Sequence, residues 1–432
     1  MRRSDEMSWL LLAVATLGAL ATFNVYHPRY RPPTLSVFSF FAGWLTAELA
    51  LHQIALQVLI AAVLVAEGAL SKWPGWLGLA TMIVSSLLLS RFHGQARQAA
   101  DAVERGLCDG LGDDYRARIL PAVAEQFTDG IEWRSVAFPF PIRHPDVERV
   151  RNIVYHEAPG LRLHLDVYRH RDRPTGCPTL LQVHGGGWVL GSKNEQGVPL
   201  MLHLAARGWV CVSADYRLSP RATFPDPLID LKHALRWIRE KGHAYGVDPD
   251  FVVVTGGSAG GHLASLVALT ANEPAYQPGF EQVDTSVRAC VAFYGVYDFT
   301  DRFGVWPHSG LANLLQRRVM KATLADAREA YELASPMSRL SAQAPPFFVI
   351  HGDHDTMVPV EEARRFVAML REAIPGQVAY AEIPGAQHAF EIFPSVRTLF
   401  VIQGVERFLA WVYSPYAAAR ARGAGAGEAA VG

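Results

Sequence analysis

One serine in this 432-residue chain sits where its surroundings would activate it. A β-branched run, Val252 to Val254, leads into Gly256-Gly257-Ser258-Ala259-Gly260, and an apolar, small-residue segment follows. The pattern predicts a strand, a sharp turn and a helix with Ser258 at the apex. Flanking glycines tolerate strained backbone angles and let the helix pack closely on the strand. The first N–H groups of such a helix favour negative charge beside the hydroxyl. Alone, G-x-S-x-G is moderately specific, because glycine- and serine-rich turns are common. A second stretch adds weight: His184-Gly185-Gly186-Gly187-Trp188 directly follows the predicted strand Thr179 to Val183. Three successive glycines cost chain entropy. A tight turn is the bland explanation, and a backbone that must approach a reacting group is the sharper one. The N–H groups of Gly186, Gly187 and Ala259 would then hold the oxyanion of a tetrahedral intermediate.

Such a serine needs a base and an acid. Among 16 histidines, His388 is singled out by its place in Pro384-Gly385-Ala386-Gln387-His388-Ala389-Phe390, after the last predicted strand. The order Ser…Asp…His puts the base there. Two carboxylates compete for the acid, Asp353 and Asp355, both in the loop after the predicted strand Phe347 to Ile350. Asp355 is the expected acid, since it must clear the turn to reach Nδ1–H of His388. Asp353 is expected to order the turn.

The elements that would position these groups begin near Val150. Arg151 to His156 and Leu161 to Tyr168 alternate as strands and predict a hairpin across Pro159-Gly160. Strands at 179–183, 210–214, 251–255, 289–294, 347–350 and 378–383 are separated by predicted helices at 198–206, 228–241 and 360–372. Apolar strands alternating with helices imply a mostly parallel, eight-stranded sheet covered on both faces. Segments Gln95 to Gly106 and Tyr115 to Phe127 predict amphipathic helices, followed by a connector containing Pro139, Pro141 and Pro145. The Ala/Arg/Gly tail, 413–432, predicts disorder.

The first ninety residues differ in kind. Met7 to Tyr26 is uncharged, as are Pro32 to Ala47 and Trp73 to Ser90, and Leu49 to Ala66 carries only His52. One such run after Arg2 and Arg3 could be a signal peptide. Repetition of the pattern instead predicts a membrane region of three spans, or four, with Leu35 to Ala66 either one tilted helix or a hairpin. Arg29, Arg31, Arg91 and Arg97 weigh slightly toward a cytoplasmic catalytic part. With a formal net charge of −1, nothing suggests nucleic acid as a partner. Cys108, Cys177, Cys211 and Cys290 are scattered and suit small buried hydrophobes, so no metal and no cofactor is expected.

Residues 150–412 resemble an α/β-hydrolase of the hormone-sensitive-lipase-like esterase group. The matching pieces are His184 to Gly187, Asp215-Tyr216-Arg217-Leu218-Ser219-Pro220, Phe224-Pro225 with Asp230, and Gly256 to Gly261. The resemblance implies a structural role for the Asp-Tyr-Arg segment, bracing the sheet end. The acid segment His351 to Pro359 is more similar to bacterial feruloyl-esterase-like and peptidase-type relatives. The segment 297–335 is short for a cap. The whole arrangement is similar to membrane-anchored esterases of lipid-rich actinobacteria. The expected activity is hydrolysis of apolar carboxylic esters through an acyl-enzyme on Ser258, with membrane lipid and a small ester as partners. Amide or peptide hydrolysis is the enzymatic alternative. A catalytically dead receptor on the same fold is the other, although Ser258, Asp355 and His388 are all present. Two readings of 297–335 and 91–130 stand side by side: an acyl pocket roofed by the first and bordered by the second, or two regions that merely cover the core.

Overall fold

The computed structural model describes residues 2–127, 130–140 and 142–429, so Pro141 of the proline-rich connector and the last three residues of the tail lie outside it. One sheet of eight strands organises residues 147–383, in the order β1-β2-β4-β3-β5-β6-β7-β8. They are β1 (Val147–Ala158), β2 (Leu161–His170), β3 (Cys177–Val183), β4 (Val210–Ala214), β5 (Val247–Gly257), β6 (Cys290–Phe293), β7 (Phe347–Gly352) and β8 (Val378–Ile383). The β1–β2 and β2–β4 pairs are antiparallel, and the remaining pairs are parallel. The central strands are buried on both sides, which is why they read as unbroken apolar runs rather than alternating ones.

Helices run in chain order as α1 (Arg2–Tyr26), α2 (Pro33–Glu48), α3 (Ala50–Ala66), α4 (Trp73–Gln95), α5 (Gln98–Leu111), α6 (Pro121–Ala124) and α7 (Trp133–Ala137). After β3 follow α8 (Val198–Ala205), α9 (Asp226–Lys241), α10 (Ala259–Leu269), α11 (Gly310–Leu314), α12 (Arg328–Leu333), α13 (Val360–Ala373) and α14 (Val396–Ala429). Period-two alternation along β5 splits the core. Val252 and Val254 join α9, α10 and α13 on one face, while Phe251 and Val253 join α5, α8 and α14 on the other.

Two expectations are corrected here. The predicted helix Tyr115 to Phe127 is instead a short 3₁₀ turn at Tyr115–Arg118 and the single turn α6, because Pro121 has no N–H to continue a helix. The tail from 413 continues α14 rather than being disordered among the described residues. Alanine and arginine are strong helix formers, and Tyr416 Oη and Arg420 both bond the buried carboxylate of Asp248.

Helix α5 follows the core-covering reading. It packs against β8 and α14 and covers a sheet face. Gly106 and Gly110, four apart on one side of α5, permit this. A Cβ on either would lie 2.1 or 2.2 Å from the carbonyl oxygens of Tyr380 and Val378.

Ahead of α5 lies an apolar helical bundle. α1 and the stretch Trp73–Leu111 are long and apolar enough to cross a membrane, and α2 with α3 forms a pair bent by 87°. Polar side chains join the helices inside. Thr22 Oγ1 and Ser85 Oγ are 2.8 Å apart, Gln57 Nε2 donates to Ser85 Oγ at 3.2 Å, and Ser86 Oγ donates to Gln57 Oε1 at 3.0 Å. The region 35–66 is thus two helices with a sharp elbow at Leu49.

Candidate active site

Ser258 stands between β5 and α10 with φ 60° and ψ −123°, a conformation that costs a non-glycine residue energy and persists only when its surroundings hold it. The turn is held on two sides. Ser258 N donates to Phe293 O at 3.0 Å. Gly260 lies so close to the end of β3 that a Cβ there would meet Val183 O at 2.2 Å. This tight contact holds the first turn of α10 against the start of the glycine loop, where the same Cβ would meet His184 O at 2.7 Å.

In that loop Gly186 has φ 112°, and its carbonyl accepts Val189 N and Leu190 N, both at 3.1 Å. Gly187 follows at φ 59°. Trp188 anchors the loop inward. Its Nε1–H donates to His262 Nδ1 at 3.1 Å, and its ring meets Phe299 edge-on at 5.1 Å. His262 Nε2 bonds Ala334 O at 2.7 Å, so His262 donates from Nε2 and accepts at Nδ1. Burial lowers its pKa to about 3, keeping it neutral in that role. His262 of α10 thus ties the glycine loop to the far end of the 297–335 segment.

His388 and Asp355, the expected base and acid, meet across the ends of β7 and β8. Asp355 Oδ2 and His388 Nδ1 are 2.6 Å apart. Oδ1 of Asp355 accepts Met357 N and Val358 N, both at 2.8 Å. Burial works to raise the pKa of Asp355. The charge of His388 and the hydrogen bonds from His351 and His388 outweigh it and hold the carboxyl well below the usual range. Asp353 turns elsewhere: its Oδ1 accepts Gly385 N at 2.6 Å, so it fastens the acid loop to the base loop.

Tyr294, just after β6, packs between His388 and the turn that bears Ser258. Its ring packs on His388 with centroids 4.5 Å apart, and a Cβ on Gly257 would strike its hydroxyl at 2.6 Å. The hydroxyl donates to Glu391 Oε2, a fully buried carboxylate whose pKa burial pushes up to about 7. Gln387 Oε1 accepts both His388 N at 2.9 Å and Thr356 N at 2.8 Å.

The Asp-Tyr-Arg segment braces the sheet end. Tyr216 Oη donates to His184 O at 2.9 Å, Asp215 Oδ1 accepts Lys193 N at 2.8 Å, and Arg217 grips Asp230 through Nε and Nη2. Sequence reasoning passes over Tyr294, Gln387, Glu391 and His262. Gln387 and Glu391 flank His388 closely enough that a polar residue in an otherwise apolar loop is itself a signal. Tyr294 and His262 have no such mark. Among the described residues no group of His, Cys, Asp or Glu is arranged to hold a metal ion.

Comparison with known proteins gives the chain a family. A family model described as BD-FAE matches residues 165–370. The probable carboxylic ester hydrolase LipM of Mycobacterium tuberculosis is 43% identical over 411 residues, covering 93% of this chain and 93% of that protein. Esterase LipQ of the same organism is 38% identical over 384 residues, covering 88% and 86%. Among solved structures, the apo form of Thermogutta terrifontis esterase 2 matches with a TM-score of 0.50 and 27% identity, covering 62% of this chain and 94% of that one. With the mostly parallel sheet, these likenesses make the chain a carboxylesterase-like hydrolase, a member of the α/β-hydrolase esterase family to which LipM and LipQ belong.

Proposed function

We propose that the protein is a membrane-anchored serine carboxylesterase that cleaves apolar esters through an acyl-enzyme on Ser258. The observation that supports it most is the 2.6 Å bond between Asp355 and His388, with the imidazole packed on the tyrosine that abuts Gly257. His388 Nε2 takes the Ser258 proton as Oγ bonds to the ester carbonyl carbon. Charge gathers on the carbonyl oxygen, where the N–H groups of Gly186, Gly187 and Ala259 receive it. His388 then passes the proton to the alcohol oxygen as the C–O bond breaks. Water, deprotonated by the same histidine, attacks the acyl-enzyme, and Ser258 regains its proton as the acid leaves. Asp355 stays ionised throughout and stabilises the imidazolium.

The anchor is supported by the long apolar helices α1 and α4 and by their alignment. Tyr26 Oη reaches Leu88 O, Thr22 meets Ser85 and Ser8 Oγ reaches Ala69 O, so the two run side by side in the same direction, with α3 running back against α4. With three crossings, the amino terminus lies on the side away from the hydrolase.

Fluorophosphonate labelling of the purified full chain tests the nucleophile. Ser258→Ala is expected to abolish labelling and hydrolysis of a short nitrophenyl ester together. Retention of activity within tenfold of wild type would remove Ser258 from the mechanism. A matched anilide should turn over far more slowly than its ester.

A further inference from the structure

The acid–base pair rests on α2. Ser36 Oγ donates to Thr356 O at 2.6 Å and Thr356 Oγ1 donates back to Ser36 O at 3.0 Å, with both residues buried beside Asp355. One turn later the ring of Phe40 stands edge-to-face on the imidazole of His388, centroids 5.9 Å apart. Phe40 stacks on Trp44, and Trp44 on Phe393 of the base loop, at 5.7 and 4.9 Å. The opposite side of the same helix is bare. Leu35, Phe38, Phe41 and Leu45 are exposed there, Phe38 to 73%. Helix α2 thus has one face on the catalytic loops and one apolar face turned outward.

The reaction fixes which half of the substrate meets which wall. His388 must deliver its proton to the alcohol oxygen, so the alcohol lies on the histidine side of Ser258. The carbonyl oxygen points to the glycine loop. There the neighbour is Leu314 of α11, whose Cδ2 would sit 3.4 Å from a Cβ on Gly187. The wall beside the histidine is Phe40. We propose that Phe40 is a specificity-determining residue for the alcohol half of the ester, so that a helix of the apolar bundle selects the leaving group. The proposal rests on the esterase reading of Ser258, Asp355 and His388, and deepens it.

The test uses the full chain in detergent micelles with two ester series. One holds the acid at butyrate and lengthens the alcohol from methyl to octyl. The other holds the alcohol at ethyl and lengthens the acid. Phe40→Ala is expected to change the ratio of kcat/KM between longest and shortest alcohol by about tenfold or more, the scale of differential contact in an apolar pocket. The acyl series should keep its profile within about threefold. Phe40→Leu serves as the milder variant, and the rate of Ser258 labelling reports intact machinery for both. Retained labelling with an unchanged alcohol profile, or with a shift only in the acyl profile, would overturn the proposal while leaving the esterase reading intact. Loss of labelling in both variants with folding preserved would overturn it too, by making Phe40 a support of the base. Failure of wild-type Ser258 to label would instead strike the esterase reading itself.

Discussion

Two carboxylates two residues apart have different work at the catalytic edge, and their partners say which is which. Asp355 accepts from His388 and two backbone N–H groups, whereas Asp353 accepts Gly385 N and joins two loops. Asp355→Asn is therefore expected to lower turnover by orders of magnitude with the fold retained, and Asp353→Asn to lower it far less. Steady-state kinetics and thermal unfolding of both variants check this, and a reversed order would reassign the acid. Glu391 makes a separate prediction. Burial raises its pKa from 4.5 to about 7, so the folded state holds the proton more tightly than the unfolded chain. The stability this adds is complete below about pH 4.5 and is lost as pH rises through about 7, amounting to about 3 kcal/mol at most. Glu391→Gln keeps an acceptor for Tyr294 and removes the titration. Its stability should fall less across that window than that of wild type, the remaining fall coming from Glu362, whose pKa burial likewise raises to about 7. Asp355 acts in the opposite direction: its contribution is present at neutral pH and is lost only in acid.

Elements differ in how plainly the sequence announces them. The strand–turn–helix around Ser258 and the glycine loop after β3 are local, so residue order and glycine placement suffice to read them. Helix α5 shows where that stops. Its amphipathic pattern marks a buried face but not the surface it meets, which is β8 and α14. The glycines that look like helix punctuation are contact points. Gly110→Ala would drive a methyl group into Val378 O and is expected to lower unfolding free energy by about 1–3 kcal/mol, read by thermal unfolding in detergent. The role of α2 is hidden for another reason. Ser36 and Thr356 are 320 residues apart, and no periodicity links such partners. An exposed apolar stretch reads equally well as a span or as a wall.

At the scale of the whole molecule, the bundle and the hydrolase share one buried ion pair. Glu48, at the elbow between α2 and α3, bonds Arg397 at the start of α14, and Ser395 Oγ donates to Glu48 Oε2 at 2.6 Å. Arg397 also stands over the ring of Phe92, 5.5 Å from its centroid. Removing one partner of a buried pair typically costs about 3–5 kcal/mol, because the other charge is left stranded. A chain beginning at Phe92 would lose Glu48 together with Ser36 and Phe40. It is expected to show far lower activity than the full chain even where the sheet still forms, measured as labelling rate of Ser258. Equal labelling in both would show that the bundle serves only as an anchor. Reporter tags test the arrangement of crossings: one at the amino terminus should be shielded from protease in sealed vesicles that expose the hydrolase.

The Glu48–Arg397 pair also has a bearing on biosynthesis. Glu48 is made 349 residues ahead of Arg397. The elbow must wait, with its acid unpaired, until that stretch has been translated. The loop that bears His388 immediately precedes Arg397, so His388 and the elbow's counter-charge arrive together. A chain stopped before His388 has neither. On the proposed triad, hydrolytic capacity therefore appears only well after the bundle helices have been made.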